Sequence, residues 1–342
     1  HHSLVVSGSE GKVCSFGYGV SGRLGHGGQG NEVVPRRIEA LDRVVVIQVE
    51  AGRSHSMALS SGGDVFTWGM VDNTPQLEVV QVEGLGGVTD IAAGGAYNLA
   101  VVGEEGAVYA WGYNYFGQLG LGDHAERHVP TVVPSVSGVV AVAAGSNHSL
   151  ALGIDGTVMT CGYNYYGQLG IGYNGNRDTF TVVPELKDVV DIDGGNGHSI
   201  AVTLEGDVYT WGQGCVLGQG QLLTRCIVPT KVTGLEGVVV AAGDYHSMAL
   251  TATGDLYTWG TGAEGQLGHG DVQQHKYVPE RVVGVAAVTG MAGGYEHSLV
   301  TTREGRVLGF GYNCDGRLGL GAGDGEKVMT PTAIADLCHE NE

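Results

Sequence analysis

The sequence predicts an all-β fold, a seven-bladed β-propeller of four-stranded blades, and three observations predict it. One phrase recurs as Ala-Gly-x-x-His-Ser-x-Ala-Leu, then Gly-x-Val-Tyr-Thr-Trp-Gly, then Gly-Gln-Leu-Gly, then a proline. Its Trp-Gly position falls at Phe16-Gly17, Trp68-Gly69, Trp111-Gly112, Cys161-Gly162, Trp211-Gly212, Trp259-Gly260 and Phe310-Gly311, at intervals of 43 to 52 residues. The His-Ser position falls independently at His2, His55, Tyr97, His148, His198, His246 and His297, at intervals of 42 to 53, so seven copies run in one phase. Glycine, finally, makes up 62 of 342 residues, more than twice the usual share, without the three-residue period of collagen.

Each copy reads as four short strands. The first is a Val- and Ile-rich run, as in Val44 to Glu50, Val88 to Ala92 and Val139 to Ala143, stopped by a glycine pair or Ala-Gly. The second is His-Ser-x-Ala-Leu, with apolar alternation. A turn such as Glu205-Gly206-Asp207 leads into the third, Asp207 to Trp211. The fourth surrounds the proline, as in Val228 to Val232. Proline fits an outer edge strand, where a missing N–H costs little. No amphipathic helix of ten or more residues is read. Four strands repeated seven times with short turns imply a radial array, glycine letting backbones pass closely near the axis; an open solenoid is the alternative. The chain is one domain, 1–342, with repeats near 1–52, 53–94, 95–145, 146–195, 196–243, 244–294 and 295–342.

Closure is expected to be imperfect. The leading Val-rich strand precedes His55, Tyr97, His148, His198, His246 and His297, but nothing like it precedes His2 or clearly follows Asp336. The closing blade should combine N- and C-terminal strands and lack its inner strand, unless residues outside the chain supply it. Three copies depart from the pattern. The second lacks Gly-Gln-Leu-Gly and runs Met70-Val-Asp-Asn-Thr-Pro75; the third has Tyr97-Asn98 for His-Ser; the fifth has Cys215-Val-Leu-Gly-Gln-Gly in the loop.

On these phrases the chain resembles the regulator-of-chromosome-condensation repeat family, most clearly in Ala242 to Leu250, Asp255 to Gly260 and Gly265-Gln-Leu-Gly268. The resemblance covers nearly the whole chain and implies seven blades. It brings three roles into view: nucleotide exchange on the small GTPase Ran, with chromatin docking partly through a basic tail; ultraviolet-B sensing through clustered tryptophans; and partner binding in ligases, ciliary proteins and large assemblies.

Composition narrows these. Lys+Arg 17 against Asp+Glu 36 gives a net charge of −19, which repels phosphate backbones and anionic membranes, so no direct nucleic-acid binding is expected. No apolar run reaches 18 residues, so no membrane insertion is expected. With no signal peptide in view and a large core, the six cysteines (Cys14, Cys161, Cys215, Cys226, Cys314 and Cys338) are expected to be free thiols inside the cell, in cytoplasm or nucleus.

Catalytic, metal and cofactor sites are not expected. His55, His148, His198, His246 and His297 belong to different blades and cannot converge on a metal. They are expected to hold adjacent blades through bonds to nearby backbone. Trp68, Trp111, Trp211 and Trp259 share one repeat position and read as packing residues. No Walker-type loop, nucleophile elbow or paired carboxylate stands out. The family's light sensors carry Gly-Trp-Arg-His-Thr phrases, whereas no tryptophan here precedes a repeated His.

What varies inside the repeat is more informative. The two residues before each His should lie on one face near the axis. There Arg53, Asn147, Asn196, Asp244, Tyr245, Tyr295 and Glu296 form a mixed polar and aromatic ring, a candidate partner-binding face, with a solvated rim as the plain alternative. After Trp-Gly, Tyr115 and Phe116 with Tyr165 and Tyr166 make a second, weaker candidate patch; packing on Leu119 and Leu169 is the plainer reading. The expected function is a non-enzymatic protein-interaction scaffold whose partner is a protein, a small GTPase or a larger assembly being the candidates. The alternative is a guanine-nucleotide exchange factor for a Ran-type GTPase. The exchange reading is weakened because no repeat exceeds 53 residues, which leaves no room for a projecting wedge, and Gly170 to Phe180 is only a modest loop.

Overall fold

The computed structural model describes residues 1–8, 10–71, 74–220, 224–270, 275–321, 326–335 and 337. Twenty-seven strands assemble in chain order into seven antiparallel sheets. Blade 1 contains β1 (His2–Ser7), β2 (Lys12–Gly17) and β3 (Glu32–Arg37). Blade 2 contains β4 (Val46–Ala51), β5 (His55–Ser60), β6 (Val65–Val71) and β7 (Thr74–Gln81). Blade 3 follows with β8 (Val88–Ala93), β9 (Tyr97–Val102), β10 (Ala107–Gly112) and β11 (Arg127–Val132). Blade 4 has β12 (Val139–Ala144), β13 (His148–Gly153), β14 (Val158–Gly162) and β15 (Arg177–Val182). Blade 5 has β16 (Val189–Gly194), β17 (His198–Thr203), β18 (Asp207–Gln213) and β19 (Arg225–Glu236). Blade 6 has β20 (Val239–Ala242), β21 (His246–Leu250), β22 (Leu256–Thr261) and β23 (His275–Arg281). Blade 7 has β24 (Val288–Gly293), β25 (His297–Thr302), β26 (Val307–Tyr312) and β27 (Lys327–Ala333). The only helical pieces among the described residues are three-residue 3-10 turns.

Seven hydrophobic clusters close the ring, one at each blade junction. The closing one packs Val5 and Phe16 of blade 1 against Leu299, Val307, Leu318, Ile334 and Leu337. A strand shows alternate residues to its two faces, and each blade is sandwiched, so both sets are apolar. That is why His148–Gly153 is buried at every residue.

The repeat phrase becomes one hydrogen-bonded unit at each regular junction. The Gln168 carbonyl accepts from Trp211 Nε1 at 2.8 Å and from Ser199 Oγ at 2.8 Å, filling both lone pairs. Trp259 and Ser247 share the Val216 carbonyl in the same way, and Trp68 and Ser56 share that of Arg23. Because each serine gives its proton to a carbonyl, its oxygen accepts from a histidine of the preceding blade, and the proton sits on Nε2. His148 reaches Ser199 at 2.9 Å, His198 Ser247 at 3.1 Å and His246 Ser298 at 2.8 Å. His297 closes the circle on Ser3 at 2.9 Å, across 294 residues of chain. The histidines do bridge adjacent blades, but their Nε2 partner is a side chain of the next blade, not the expected nearby backbone. In blade 3 the serine position is Asn98, which takes the bond from His55 at 2.8 Å. Tyr97 replaces His there, and its hydroxyl reaches the carbonyls of Gly145 and His148. Glycine is required three residues before the histidine in the regular copies: a Cβ on Gly145 would collide with the His148 ring and with the Gly195 carbonyl.

Two expectations are corrected. Among the described residues the incomplete blade is blade 1, with three strands from residues 2–37, while blade 7 is four-stranded and no sheet mixes N- and C-terminal strands. The reason is register: the seven copies fill the ring in order, so the missing first strand of copy one leaves its own blade short. Asp336, past which no further strand was read, lies outside the described residues. Second, Cys14 is not a free thiol: it is disulfide-bonded, fully buried in β2. Sequence spacing carried no sign of this, since Cys14 sits in a regular third-strand position. Cys161, Cys215, Cys226 and Cys314 are free thiols, and Cys338 lies outside the described residues.

Candidate functional site

Inner strands β4, β8, β12, β16, β20 and β24 surround an axial cavity of about 710 Å³, whose lining includes Arg53, Asn147, Asn196, Asp244, Tyr245 and Tyr295. The turns before the histidines thus meet around one opening. Glu296 is not in the lining. Asn196 donates to the Tyr245 hydroxyl at 3.1 Å, and the Tyr245 and Tyr295 rings meet edge-on at 5.6 Å. Burial raises the Asp244 carboxyl above its ordinary range.

The second patch lies on the same face. The residue after each Trp-Gly donates its N–H to the carbonyl just before the histidine: Tyr113 to Ala96 at 2.9 Å, Tyr163 to Asn147 at 2.9 Å, Thr261 to Tyr245 at 2.8 Å. The aromatic loops therefore radiate outward from the axial turns. Six rings form an unbroken run over blades 3 and 4: Tyr113, Tyr115, Phe116, Tyr163, Tyr165 and Tyr166, with successive centroids 4.7–6.4 Å apart. Tyr115 is 67% exposed and Tyr165 61%. The fixed turn beneath them comes from Asn114 and Asn164, whose side chains bind the loop backbone at Leu119 and Leu169. Leu119 and Leu169 themselves are fully buried.

Sequence reasoning missed the axial carboxylates. Asp90, on β8, accepts from the Val142 N–H at 2.8 Å; on β16, Asp191 accepts from Val240 at 2.9 Å and Asp193 from Ala242 at 2.8 Å. Gln48, on β4, grips Ile91 in both directions, donating at 2.9 Å and accepting at 3.3 Å. Each clasps an inner strand to the next. Desolvation raises Glu50 to about 8, with Asp193 and Asp90 adding repulsion, Asp193 to about 7 and Asp191 to about 6; Asp90 moves the same way. The signal was present in Asp-Ile-Asp, which interrupts a strand position that is Val- and Ala-rich in other copies such as Val139–Ala144. The histidines shift oppositely, since burial disfavours their cation: His55, His148 and His246 fall to about 4 and His198 to about 3. Among the described residues no group of three or more His, Cys, Asp or Glu is placed to hold a metal. The tryptophans are buried at separate junctions, 0–4% exposed.

Comparison with known proteins agrees with this geometry. The model of the RCC1-like domain matches residues 1–240, and regulator-of-chromosome-condensation repeat models match 253–301, 238–266 and 288–317. The chain is 34% identical over 327 residues to the ultraviolet-B receptor UVR8 of Arabidopsis thaliana, covering 90% of this chain and 63% of that protein. It is 36% identical over 350 residues to the human E3 ubiquitin-protein ligase HERC2, covering 96% of this chain and 6% of the ligase. The chain thus spans under two thirds of either relative. Among solved structures, human WBSCR16 superposes with a TM-score of 0.84 at 24% identity, covering 94% of this chain and 93% of that one. Prp20p of Saccharomyces cerevisiae gives 0.84 at 24% identity, covering 97% and 87%; at that identity the likeness speaks for fold alone. No helix among the described residues is long and apolar enough to cross a membrane.

Proposed function

This chain belongs to the RCC1-like domain family, and on that premise we propose that it is a non-enzymatic protein-interaction scaffold whose partner docks on the face joining the axial turns to the aromatic loops. The observation that carries the reading is the unbroken run of six rings, because exposed tyrosines held by a rigid base are effective interface anchors. Arg53, Asn147, Asn196, Asp244, Tyr245 and Tyr295 supply a polar and aromatic centre to the same face, with Glu296 outside it. Family membership supports a protein partner: relatives include a ligase, and the Prp20p structure is described with its binding to Gsp1p and histones.

The test compares affinity capture by the native chain and by the Tyr115→Ala/Tyr165→Ala and Tyr245→Ala/Tyr295→Ala variants. A partner retained by the native chain should be lost at least tenfold by one pair without a change in melting temperature. Partners held equally by both variants would remove this face from consideration. Exchange on a Ran-type GTPase is the second reading, and the similarity in fold to Prp20p is what keeps it open. It has no projecting insertion to work with among the described residues, the longest third-to-fourth strand connections being regular ones such as 113–126. Release of fluorescent GDP from Ran is expected to be unchanged by this chain; acceleration of a hundredfold would replace the scaffold with an exchange factor.

A further inference from the structure

The disc has a second face, opposite the turns that precede the histidines, and it carries apolar side chains that the fold does not require. The inner strands begin on it. The first residue of the turn between second and third strands closes onto that beginning. Ser61, Gly103, Ile154, Leu204 and Arg303 donate their N–H to the carbonyls of Val45, Gly87, Gly138, Asp188 and Ala287 at 2.8–3.0 Å. Ser, Gly and Arg at this place show that the backbone makes the turn whatever the side chain. Ile154 and Leu204 are nevertheless 80% and 77% exposed, the two most exposed large apolar residues among the described residues. Bulges add to them. The pairing of β4, β12 and β16 with the next strand skips Ile47, Val140 and Val190, and all three are exposed. An extra residue in one strand of a pair re-aims its side chain. Thr89 and Thr289 hold the bulge in blades 3 and 7, so an apolar group is not needed there either. Blades 4 and 5 are neighbours, and each presents a pair, Val140 with Ile154 and Val190 with Leu204. A Cβ on Gly138 would touch Ile154, which places that side chain over the start of β12.

The turns around these pairs are acidic. Glu104 and Glu105 lie in the second-to-third turn of blade 3, Asp155 in that of blade 4 and Glu205 in that of blade 5. Glu185 and Asp188 lie in the connection that enters blade 5. All six are exposed, and Lys187 is the cation that stands among them. Among the described residues none of the six is in an ion pair. Elsewhere on this face charges are matched: Lys12 pairs with Glu10, Arg37 with Asp42 and Arg306 with Glu304. The excess of negative charge is therefore local to the sector that carries the exposed apolar pairs.

We propose that this far face of blades 4 and 5 is a second docking surface, and that its occupant is a basic amphipathic helix of a partner protein. The charge of the border selects the sign: unpaired carboxylates attract lysine and arginine, and they repel nucleic acid and anionic membranes. The apolar pairs select the rest. Val140, Ile154, Val190 and Leu204 need apolar side chains laid on them to leave water, which a purely cationic strand of residues cannot supply. An amphipathic helix offers both, with leucine-type residues along one stripe and cations on either side of it. A second copy of this chain is a poor occupant, because two molecules of charge −19 would bring like borders together. The surface lies on the side away from the aromatic loops, so one disc can hold a partner on each side and join them.

The probe is a fluorescent peptide, two repeats of Leu-Lys-Lys-Leu-Leu-Lys-Lys, titrated into the 342-residue chain and followed by anisotropy. It should bind in the micromolar range, and an all-lysine peptide of equal length should bind at least tenfold more weakly. Ile154→Ser/Leu204→Ser should lose at least tenfold at an unchanged melting temperature, since both side chains stand in solvent and their loss removes no core. Glu104→Gln/Glu205→Gln should also weaken binding, and raised salt should weaken the native complex. Equal binding by the native chain and the serine variant would mean attraction by charge alone and would overturn the proposal. So would no binding at a hundred micromolar, or a loss confined to Tyr115→Ala/Tyr165→Ala, which would give the helix to the other face. A dimer of the native chain that Ile154→Ser/Leu204→Ser dissociates would overturn it too, by giving the patch to a second copy.

Discussion

Two rings of hydrogen bonds hold the same blades, and they differ in how strictly they repeat. The outer ring runs through the histidines and serines, is buried throughout, and stays neutral because burial drives the histidines far below their ordinary range. The inner ring is made of Gln48, Asp90, Asp191 and Asp193 on the wall of the cavity, and it skips blades: Ala141, Val239 and Gly290 hold the clasp position in blades 4, 6 and 7. The difference follows from solvent. A sealed donor with no alternative partner must be matched at every junction, whereas a group on a channel wall can be dropped and replaced by water. The outer ring should therefore carry stability and the inner ring should adjust it.

The largest effect should come from breaking the outer ring. His198→Ala removes the partner of Ser247 and leaves a void at a fully buried site, so unfolding by urea should show a loss of ~3 kcal/mol. Asp191→Ala, which removes one inner clasp, should cost ~1 kcal/mol in the same measurement. Equal losses would erase the distinction between the rings.

A pH series separates them by sign. A histidine whose folded value lies near 4 binds a proton in the unfolded state first, so its contribution is lost as pH falls from about 6.5 towards 4. A carboxyl raised in the fold holds its proton longer when folded, so stability falls as pH rises from about 4 towards the folded value. Between pH 6.5 and 8 the histidines are silent while Glu50, near 8, and Asp193, near 7, still ionise. Thermal denaturation should therefore show stability declining over that window, and Glu50→Gln should flatten the decline by ~1 kcal/mol, the full linkage value being reduced because Glu50 keeps some access to the channel. A flat profile in the native chain would mean that the inner ring stays ionised.

The contrast also explains what the sequence made legible. Seven blades, the edge prolines and the junction role of His and Trp were readable because each recurs, and recurrence marks what every junction must satisfy. The short blade was readable as a missing strand, but its place in the ring was not, since counting strands does not say where the ring closes. The partner of His198 was misjudged because Ser247 is 49 residues away and only the register of two blades brings them together. The axial carboxylates were harder to read for the opposite reason: Asp90 and Asp191 share a Val-x-Asp-Ile phrase, but Gln48 and Ala141 hold that place in blades 2 and 4, so it does not recur at every junction, and the convergence of the carboxylates is a property of the closed ring. The two candidate patches were read as separate, and the bond from Tyr163 to the Asn147 carbonyl is what makes them one face.

The smallest effect tests whether the gaps in the inner ring can be filled. Ala141 occupies in blade 4 the place that Gln48 occupies in blade 2, and Ile192 stands where Ile91 does. Ala141→Gln should let a side-chain amide grip both backbone groups of Ile192, as Gln48 grips those of Ile91 at 2.9 and 3.3 Å. An amide adds no charge beside Asp191 and Asp193, so the new bonds are not opposed by repulsion. The gain should be ~0.5–1 kcal/mol, because water already serves groups on the channel wall and only the net difference remains. Urea unfolding with an unchanged slope and a raised midpoint would show that the skipped clasps are adjustable positions. A loss of stability would mean that Ala141 is small because its neighbours need the space, and the inner ring would then be as constrained as the outer one.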